Sequence, residues 1–597
     1  MKSRELLLKE ILNEMSIWCR TSTIRDWKTI TKRYEHEGMS FLTISLPNFC
    51  SDFQKSLDIG EVVPAHFVGF AKRGKLPLFL GGFSERVFDR YSGRLLAEPD
   101  IDCILAIRQI CLAFSKIHLP CTKVRERAAF KKFIKREKHI REVDSRIGDE
   151  FLVPFSRLSL LVFGNTFSTI DRMIYDGEII PKHGPGSTAE KLTSNGKFNQ
   201  SQWPVRLDSI FPFSENIQSS WSQCLDSPPD MLEPGQELPV RVISVPKTLK
   251  TPRIIAIEPT CMQYMQQGIL EAMNLNVERD RLLAPFISSR FQEPNQLLAK
   301  EGSQFGNLAT LDLSEASDSV SNQLVRRLLE FFPNFSSGVD ACRSRKADVP
   351  GFGVIRLAKF ASMGSALCFP FESMIFLIII FIGIEKELNR QLTMKDLYNL
   401  HGKVRVYGDD IIIPVEFVRS VIAALETFGF QVNSDKSFWT GKFRESCGKE
   451  YYDGCDISVT KIRRDIPVTR RHVQEIISIV ETRNQFYKTG MWLTARFLDD
   501  IVERIIPFPY VGWNSPALGR HSYLGTDTGT LCRFLHKPLV RAFVEKPVSP
   551  RDNLEGYGAL LKFFLKRGDQ PFADRRHLER AGRSQTVDIK LRWVSVH

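Results

Sequence analysis

The chain has 597 residues, too many for one hydrophobic core, so several domains or subdomains are expected. A hydrophobic content of 43% is that of an ordinary folded protein, and a formal charge of +13 suggests a polyanionic partner. The 12 cysteines include no Cys-x-x-Cys pair and none at zinc-finger spacing from histidines, which argues against structural zinc and for free thiols in a reducing compartment.

Leu7, Leu8, Ile11, Leu12 and Met15 fall at helical spacing and predict an opening amphipathic helix. Lys9, Glu10 and Glu14 interrupt it too often for a signal peptide. A second apolar helix is expected around Ile104 to Phe114. From Lys123 to Arg141 a strongly basic helix follows, with Phe130, Phe133 and Ile134 on an apolar face. Such a helix suits phosphate contacts, a solvated surface or the docking of an acidic protein. His183-Gly184-Pro185-Gly186 is a stiff loop, and residues 200–240 read as surface connections.

Val242 to Val245 and Ile254 to Ile257 predict two strands joined by a cationic loop. Lys247, Lys250 and Arg253 recur there at every third position, a spacing able to place positive charge over a triphosphate. Leu308 to Leu311 predicts a strand ending at Asp312, followed by a turn through Ser317 and Asp318 into a helix carrying Leu324, Leu328 and Leu329. Ser362-Met363-Gly364-Ser365 is a small-residue loop that admits close approach of a ligand or strand. The run from Ala366 to Ile384 is the most apolar of the chain, but Pro370 and Glu372 leave too short an uninterrupted stretch to span a bilayer. It is expected as a helix buried against a sheet, and no membrane partner is expected.

Val404 to Ile413 predicts strand, tight turn and strand, with Gly408 at the reversal and Asp409-Asp410 at the tip. A helix from Phe417 to Phe428, a short strand at Phe430 to Val432, Lys436, a hairpin over Phe443 to Tyr452 and helices near Val473 to Val480 and Trp492 to Ile505 complete the pattern. The tail from Thr526 is polar and basic without a usable motif. Two adjacent carboxylates at a hairpin tip repel each other, and an oxygen-only donor set suits Mg²⁺ or Mn²⁺. A bare Gly-Asp-Asp turn is equally compatible with a solvated loop, so partners must come from elsewhere. If the Leu308–Leu311 strand pairs beside the hairpin, Asp312 faces Asp409. Three carboxylates then converge on two cations roughly 3.5–4 Å apart, an arrangement for in-line phosphoryl displacement.

The order of these segments resembles the motifs of the right-handed palm of RNA-dependent RNA polymerases. Ala256-Ile257-Glu258-Pro259, Asp312-Leu313-Ser314 with Ala316-Ser317-Asp318-Ser319, Ser362-Met363-Gly364, Tyr407-Gly408-Asp409-Asp410 and Phe443-Arg444-Glu445-Ser446-Cys447-Gly448-Lys449 resemble one family in particular. That family is the replicase β subunit of single-stranded RNA bacteriophages, the group that includes Qβ and MS2. The resemblance covers roughly residues 180 to 460.

It implies an α+β fingers–palm–thumb fold. Residues 1–240 would hold the N-terminal region and fingers, 241–300 fingers with the cationic loop, 301–460 the palm with a fingers insertion, and 461–597 the thumb and tail. It implies primer-independent RNA synthesis from ribonucleoside triphosphates on an RNA template, with two Mg²⁺ ions for which Mn²⁺ can substitute. Asp312 and Asp409 would ligate metal, with Asp410 as a closer or more distant ligand. Lys247, Lys250 and Arg253 would contact phosphates, Ser362, Gly364 and Ser365 would line the nucleotide site, and Lys436 would be a proton donor to pyrophosphate. Ser317 stands where many palm polymerases have a ribose-sensing Asp, and Asp318 follows it, so either residue can read the sugar. Ser365 likewise stands where many relatives have Asn. Expected partners are the host elongation factors Tu and Ts and a ribosomal RNA-binding protein, in the cytoplasm of an infected bacterium. Reverse transcription and a non-catalytic RNA-binding scaffold are the alternatives.

Overall fold

The computed structural model describes residues 2–527, 529–547, 553–567 and 587–597. The sheet that matters most is small. The Arg405–Tyr407 and Asp410–Pro414 strands form a hairpin in which Tyr407 pairs with Asp410. The Leu308–Leu311 strand runs antiparallel to the second arm, with Ile411 opposite Leu311. On its other edge Thr310 exchanges backbone hydrogen bonds with Phe438, at 3.0 and 2.8 Å. This pairing brings the segment after the Ser434–Lys436 turn alongside the end of the central strand. All four residues of the Leu308–Leu311 strand are buried, as are Ile411, Ile412 and Ile413. A strand covered on both faces reads as a continuous apolar run, without alternation.

Behind the sheet lies the Cys368–Leu388 helix. It is apolar all round, and every residue from Pro370 to Ile384 is buried, so it is a core helix with no solvent face. The Asp149–Tyr175 and Val418–Thr427 helices pack against it. Among the described residues, Asp149–Tyr175 and Cys368–Leu388 are the two helices long and apolar enough to cross a membrane, and the second is almost wholly enclosed by protein. A second sheet, of four strands, joins Gly353–Arg356, Lys346–Val349, Val240–Val245 and Arg253–Ile257. The Lys123–Asp144 helix covers it with Phe130 and Phe133.

The two largest hydrophobic cores do not follow chain order. One gathers residues between Phe155 and Phe430 around the buried helix. The other joins the N-terminal helices, including Leu7, Leu8, Ile104 and Ile107, to Phe438, Phe443 and the Val473–Lys488 and Trp492–Glu503 helices. A buried ion pair, Arg108 to Glu450 at 2.5 Å, crosses this second core. Asp58 accepts hydrogen bonds from the backbone amides of Trp439, Thr440 and Gly441 at 3.1, 3.1 and 3.2 Å. The N-terminal region therefore holds the segment that follows Lys436.

Two expectations are corrected. Residues 200–240 are more than surface connection: Trp203 is fully buried, its indole N–H donates to the Phe211 carbonyl, and Gln202–Pro204 pairs in parallel with Asp230–Leu232. The tail is not featureless either. Pro538–Pro547 and Val587–Ser595 form a long antiparallel ribbon whose Phe543 and Ile589 enter the second core. Residues 548–552 and 568–586 of that tail lie outside the described residues.

Glu258, just past the Arg253–Ile257 strand, is buried and accepts a 2.5 Å hydrogen bond from Ser344. Burial pushes its carboxyl up to about 7, against the opposing pull of Ser344, Gln266, Arg343 and Arg206. The folded state then holds a proton that the unfolded chain has released. The associated stability is fully present below the unfolded value of 4.5 and is lost as pH rises through about 7. Glu258→Gln removes the ionisation. Its stability relative to the wild type, read by chemical denaturation at a series of pH values, should rise between pH 5 and 8 by up to about 3 kcal/mol.

Candidate active site

The Gly408-Asp409 turn is the tip of the hairpin. Gly408 has φ 61°, which a two-residue hairpin requires at its first central position. The turn is also clamped from behind. Gly408 N–H donates to Ser373 Oγ at 2.9 Å, and a Cβ at Gly408 would strike the Phe369 ring and sit 3.0 Å from Glu372 Oε1. Tyr407 packs edge-on against Phe369 at 4.9 Å. The buried helix thus fixes where Asp409 points.

Asp312 follows the Leu308–Leu311 strand and is half-buried. Its carboxylate accepts from Asn433 Nδ2 at 2.9 Å and lies 3.5 Å from Lys436 Nζ. Its own N–H donates to Ser437 Oγ. Burial and the neighbouring Asp312 carboxylate push Asp409 above the usual range, while Lys436 and Lys247 partly offset them. Asp410 rises further, to about 6, through burial and the charges of Asp409 and Asp312. Its Oδ1 accepts from the Cys447 amide at 3.2 Å and Ser446 Oγ at 3.4 Å, in the neighbouring hairpin. The three carboxylates feel one another. Among the described residues, no three His, Cys, Asp or Glu side chains come together closely enough to hold an ion as they stand. Asp312 and Asp409 are electrostatic neighbours, whereas Asp410 is turned onto the backbone of the Phe443–Tyr452 hairpin.

Cations face these acids. Lys247 is lowered by burial and by Arg253 and Lys436, and it feels Asp409 and Asp312. Lys116 is lowered by burial and by Lys461, Lys247 and Lys436. Lys436 is held up by Asp312, Glu445 and Asp409, although burial opposes its charge. Lys116, Lys247 and Lys436, from distant stretches, therefore crowd one another, Lys247 and Lys436 beside the two carboxylates. Lys247 and Lys250 are both exposed on this loop, and Lys247 feels Asp409 and Asp312. The loop itself is tethered at Leu249, whose carbonyl accepts from Arg125 at 2.6 Å.

The small-residue loop is placed by backbone contact. Ala256 N–H donates to the Met363 carbonyl at 2.9 Å, and a side chain at Gly364 would overlap the Ala256 carbonyl oxygen. Ser365 Oγ donates to Gln266 Oε1 at 3.0 Å, and Ser362 is buried with its hydroxyl unpaired. Ser317 and Asp318 diverge. Ser317 is buried, and its carbonyl accepts from Cys368 Sγ. Asp318 lies 3.0 Å from the fully buried Lys359 ammonium, which also meets Glu137 at 3.2 Å. Glu372 itself is buried, and burial with the charges of Asp409 and Asp318 pushes it up to about 8, against the lowering influence of Ser317.

Glu372, Lys116, Lys461 and Glu445 are additions to the residues expected from sequence. A carboxylate inside the most apolar run of the chain was the available signal for Glu372. Lys116 carries no local signal, since only tertiary packing brings the N-terminal region here.

Comparison with known proteins shows what the chain resembles. Residues 237–492 match the family model described as RNA replicase, beta-chain, and over that span the chain resembles RNA replicase beta-chains. The particular relatives are RNA-directed RNA polymerase beta chains of RNA phages. The chain is 30% identical over 378 residues to that of Enterobacteria phage SP, covering 61% of this chain and 60% of the relative. It is 39% identical over 316 residues to that of Enterobacteria phage fr, covering 53% and 52%. It is 38% identical over 225 residues to that of Escherichia phage MS2, covering 38% of each. The matched stretches thus span 60% of the relative's length or less. Among solved structures, the BmCPV RNA-dependent RNA polymerase at elongation state aligns with a TM-score of 0.38 at 11% identity, over 60% of this chain and 34% of that one.

Gly364 has φ 132° as well as no room for a side chain. Gly364→Ala should therefore cost about 2–4 kcal/mol in chemical denaturation, because the Met363–Ala256 contact must open.

Proposed function

We propose that this chain is the catalytic subunit of a phage replicase, an RNA-directed RNA polymerase that copies a single-stranded RNA genome without a primer. One observation carries the reading. Asp312 and Asp409 lie beside Lys247 and Lys436, with Lys116 close to both lysines, and each set is strained by its own like charges. A triphosphate with divalent cations relieves both strains at once. In this reading residues 301–460 are a palm with a fingers insertion, 241–300 and parts of 1–240 supply fingers, and 461–597 form the thumb and tail.

Asp312 and Asp409 offer carboxylate oxygens to divalent metal, Mg²⁺ with Mn²⁺ able to replace it, and Asp410 steadies the turn from behind. When bound, such ions supply an activated hydroxyl and neutralise charge on pyrophosphate. Lys247 and Arg253 bind and orient the triphosphate, with Lys250 closer to the rim. Lys436 holds a proton beside Asp312 and donates it to the departing pyrophosphate. Ser362, Gly364 and Ser365 shape the nucleotide side of the cleft, and Ser317 and Asp318 lie on its sugar side. RNA template and product occupy the basic surfaces. The elongation factors Tu and Ts and a ribosomal RNA-binding protein are the proposed host partners, in the cytoplasm of the infected bacterium.

The test is incorporation of labelled ribonucleotides on single-stranded RNA with Mg²⁺, using the chain alone and with co-purified host proteins. Asp312→Asn and Asp409→Asn should each reduce incorporation on the order of 10³-fold while RNA binding is retained. Asp410→Asn should reduce it less. Full activity in Asp409→Asn would refute the catalytic reading and leave an RNA-binding scaffold.

A further inference from the structure

The loop that carries Lys247 is held from outside. Between the Val240–Val245 and Arg253–Ile257 strands its turn closes on itself: Thr248 N–H donates to the Thr251 carbonyl at 3.3 Å, and Thr251 N–H to Thr248 Oγ1 at 3.2 Å. The carbonyls of Thr248 and Leu249 are taken up by the start of the Lys123–Asp144 helix. Arg125 Nη1 donates to the Leu249 carbonyl at 2.6 Å. Cys121 Sγ, just before the helix, donates to the Thr248 carbonyl at 3.1 Å and lies 3.5 Å from the Leu249 oxygen. At the base of the loop Ser244 Oγ donates to Glu126 at 3.2 Å. The Thr122 side chain accepts from the Arg125 amide and caps this first turn, so the tethering groups sit on a defined helix start.

The rest of the same helix is fastened to segments beyond Asp312. Glu315 meets Lys132 at 2.6 Å and Arg136 at 2.7 Å. Asp144 accepts from Ser321 Oγ at 2.7 Å. Glu137 accepts from the Ala358 and Lys359 amides at 2.5 and 3.2 Å and pairs with the buried Lys359 ammonium. Arg141 donates to the Arg356 carbonyl at 2.9 Å. Arg125, Lys132, Arg136 and Arg141 are therefore spent on protein groups. Arg125 and Arg136 stand about 16 Å apart along the helix axis. Phe130 and Phe133 pack the helix onto the sheet that flanks the loop, which stiffens it over that length. The tether also has something to resist. Lys247 is exposed, and Arg253 and Lys436 repel it. An untethered loop would swing toward solvent, and a triphosphate would then have to order it on binding.

We infer that the Lys123–Asp144 helix is a strut that sets the distance between the cationic loop and the segments after Asp312, and that Arg125 and Cys121 are positioning residues through which Lys247 binds the incoming triphosphate. This rests on the polymerase reading above. Neither residue touches the nucleotide. Arg125 is the stronger hold, since a charged donor outweighs the weak donor of a thiol. The ordering of the loop is completed on folding, so its cost is not charged to each nucleotide that binds. Loss of the tether therefore weakens nucleotide binding and leaves the chemical step nearly intact.

The experiment measures KM and kcat for ribonucleoside triphosphates on single-stranded RNA, in the full-length chain with its co-purified partners. KM does not depend on the fraction of protein that is folded. Arg125→Ala should raise KM about tenfold and leave kcat within about threefold of the wild type. Arg125→Lys, which keeps a charged donor, should bring KM back to within about threefold. Cys121→Ala should raise KM about twofold, and Cys121→Ser, which keeps a donor, should not. In a Lys247→Ala background Arg125→Ala should add less than about twofold, because the tether acts through that lysine. Backbone hydrogen exchange over residues 246–252 should quicken in Arg125→Ala, a readout that needs no turnover. An unchanged KM in Arg125→Ala, or effects of Arg125→Ala and Lys247→Ala that multiply in full, overturns the inference. So does a loss of template affinity in Arg125→Ala with the nucleotide KM unchanged, the result if the arginine contacts RNA itself. A wild-type chain that incorporates no nucleotide refutes the polymerase reading, and unchanged exchange in Arg125→Ala would then refute the tether separately.

Discussion

Carboxylates crowded into a half-buried cleft repel one another, and much of this structure is organised to hold them there. Asp409 feels Asp312, and Asp410 feels both. Left alone, such a group would turn outward or take up protons. The protein prevents the first outcome by geometry. The Gly408 turn is bonded to Ser373 and closed in by Phe369 and Glu372. Asp312 is bracketed by Asn433, Ser437 and Lys436. Asp410 is drawn onto the Cys447 amide. The second outcome is resisted by Lys436 and Lys247, whose charges hold the Asp409 carboxyl down, and which repel one another in turn. The site thus holds opposed charges that neither side fully satisfies.

The rigidity of that arrangement comes from the Cys368–Leu388 helix. A helix without a solvent face cannot rotate or slide without exposing large side chains or forcing voids into a close-packed core. Its first turns carry the groups that meet the hairpin, so the position of Asp409 is inherited from core packing. The N-terminal region contributes from the other side. Arg108 and Asp58 hold the segments around Glu450 and Trp439, and Lys116 lies beside Lys247 and Lys436. The hydrophobic cores accordingly join parts of the chain that are hundreds of residues apart.

Much of this was legible in the sequence. The Gly-Asp-Asp hairpin, the strand ending before Asp312, the buried apolar helix, the strands on either side of Lys247 and the Phe443–Tyr452 hairpin all stand where their local patterns place them. Each depends on interactions within a few residues: apolar periodicity, a glycine at a reversal, β-branched runs. The family resemblance could be read for the same reason, because short catalytic segments keep their spacing. Other features were illegible because their signal is not local. Trp203 in a Pro- and Ser-rich stretch and the ribbon built from the tail owe their order to partners far along the chain.

The sequence alone therefore determined which residue types are offered for chemistry and in what order they occur, since residue type and short-range backbone preference are properties of the chain itself. Only the tertiary structure decided how those residues are used. It turned Asp410 toward a neighbouring hairpin, paired Asp318 with Lys359 and brought Lys116 beside Lys247 and Lys436. Hydrogen bonds and burial between distant segments govern those choices, and no local pattern encodes which distant group will arrive.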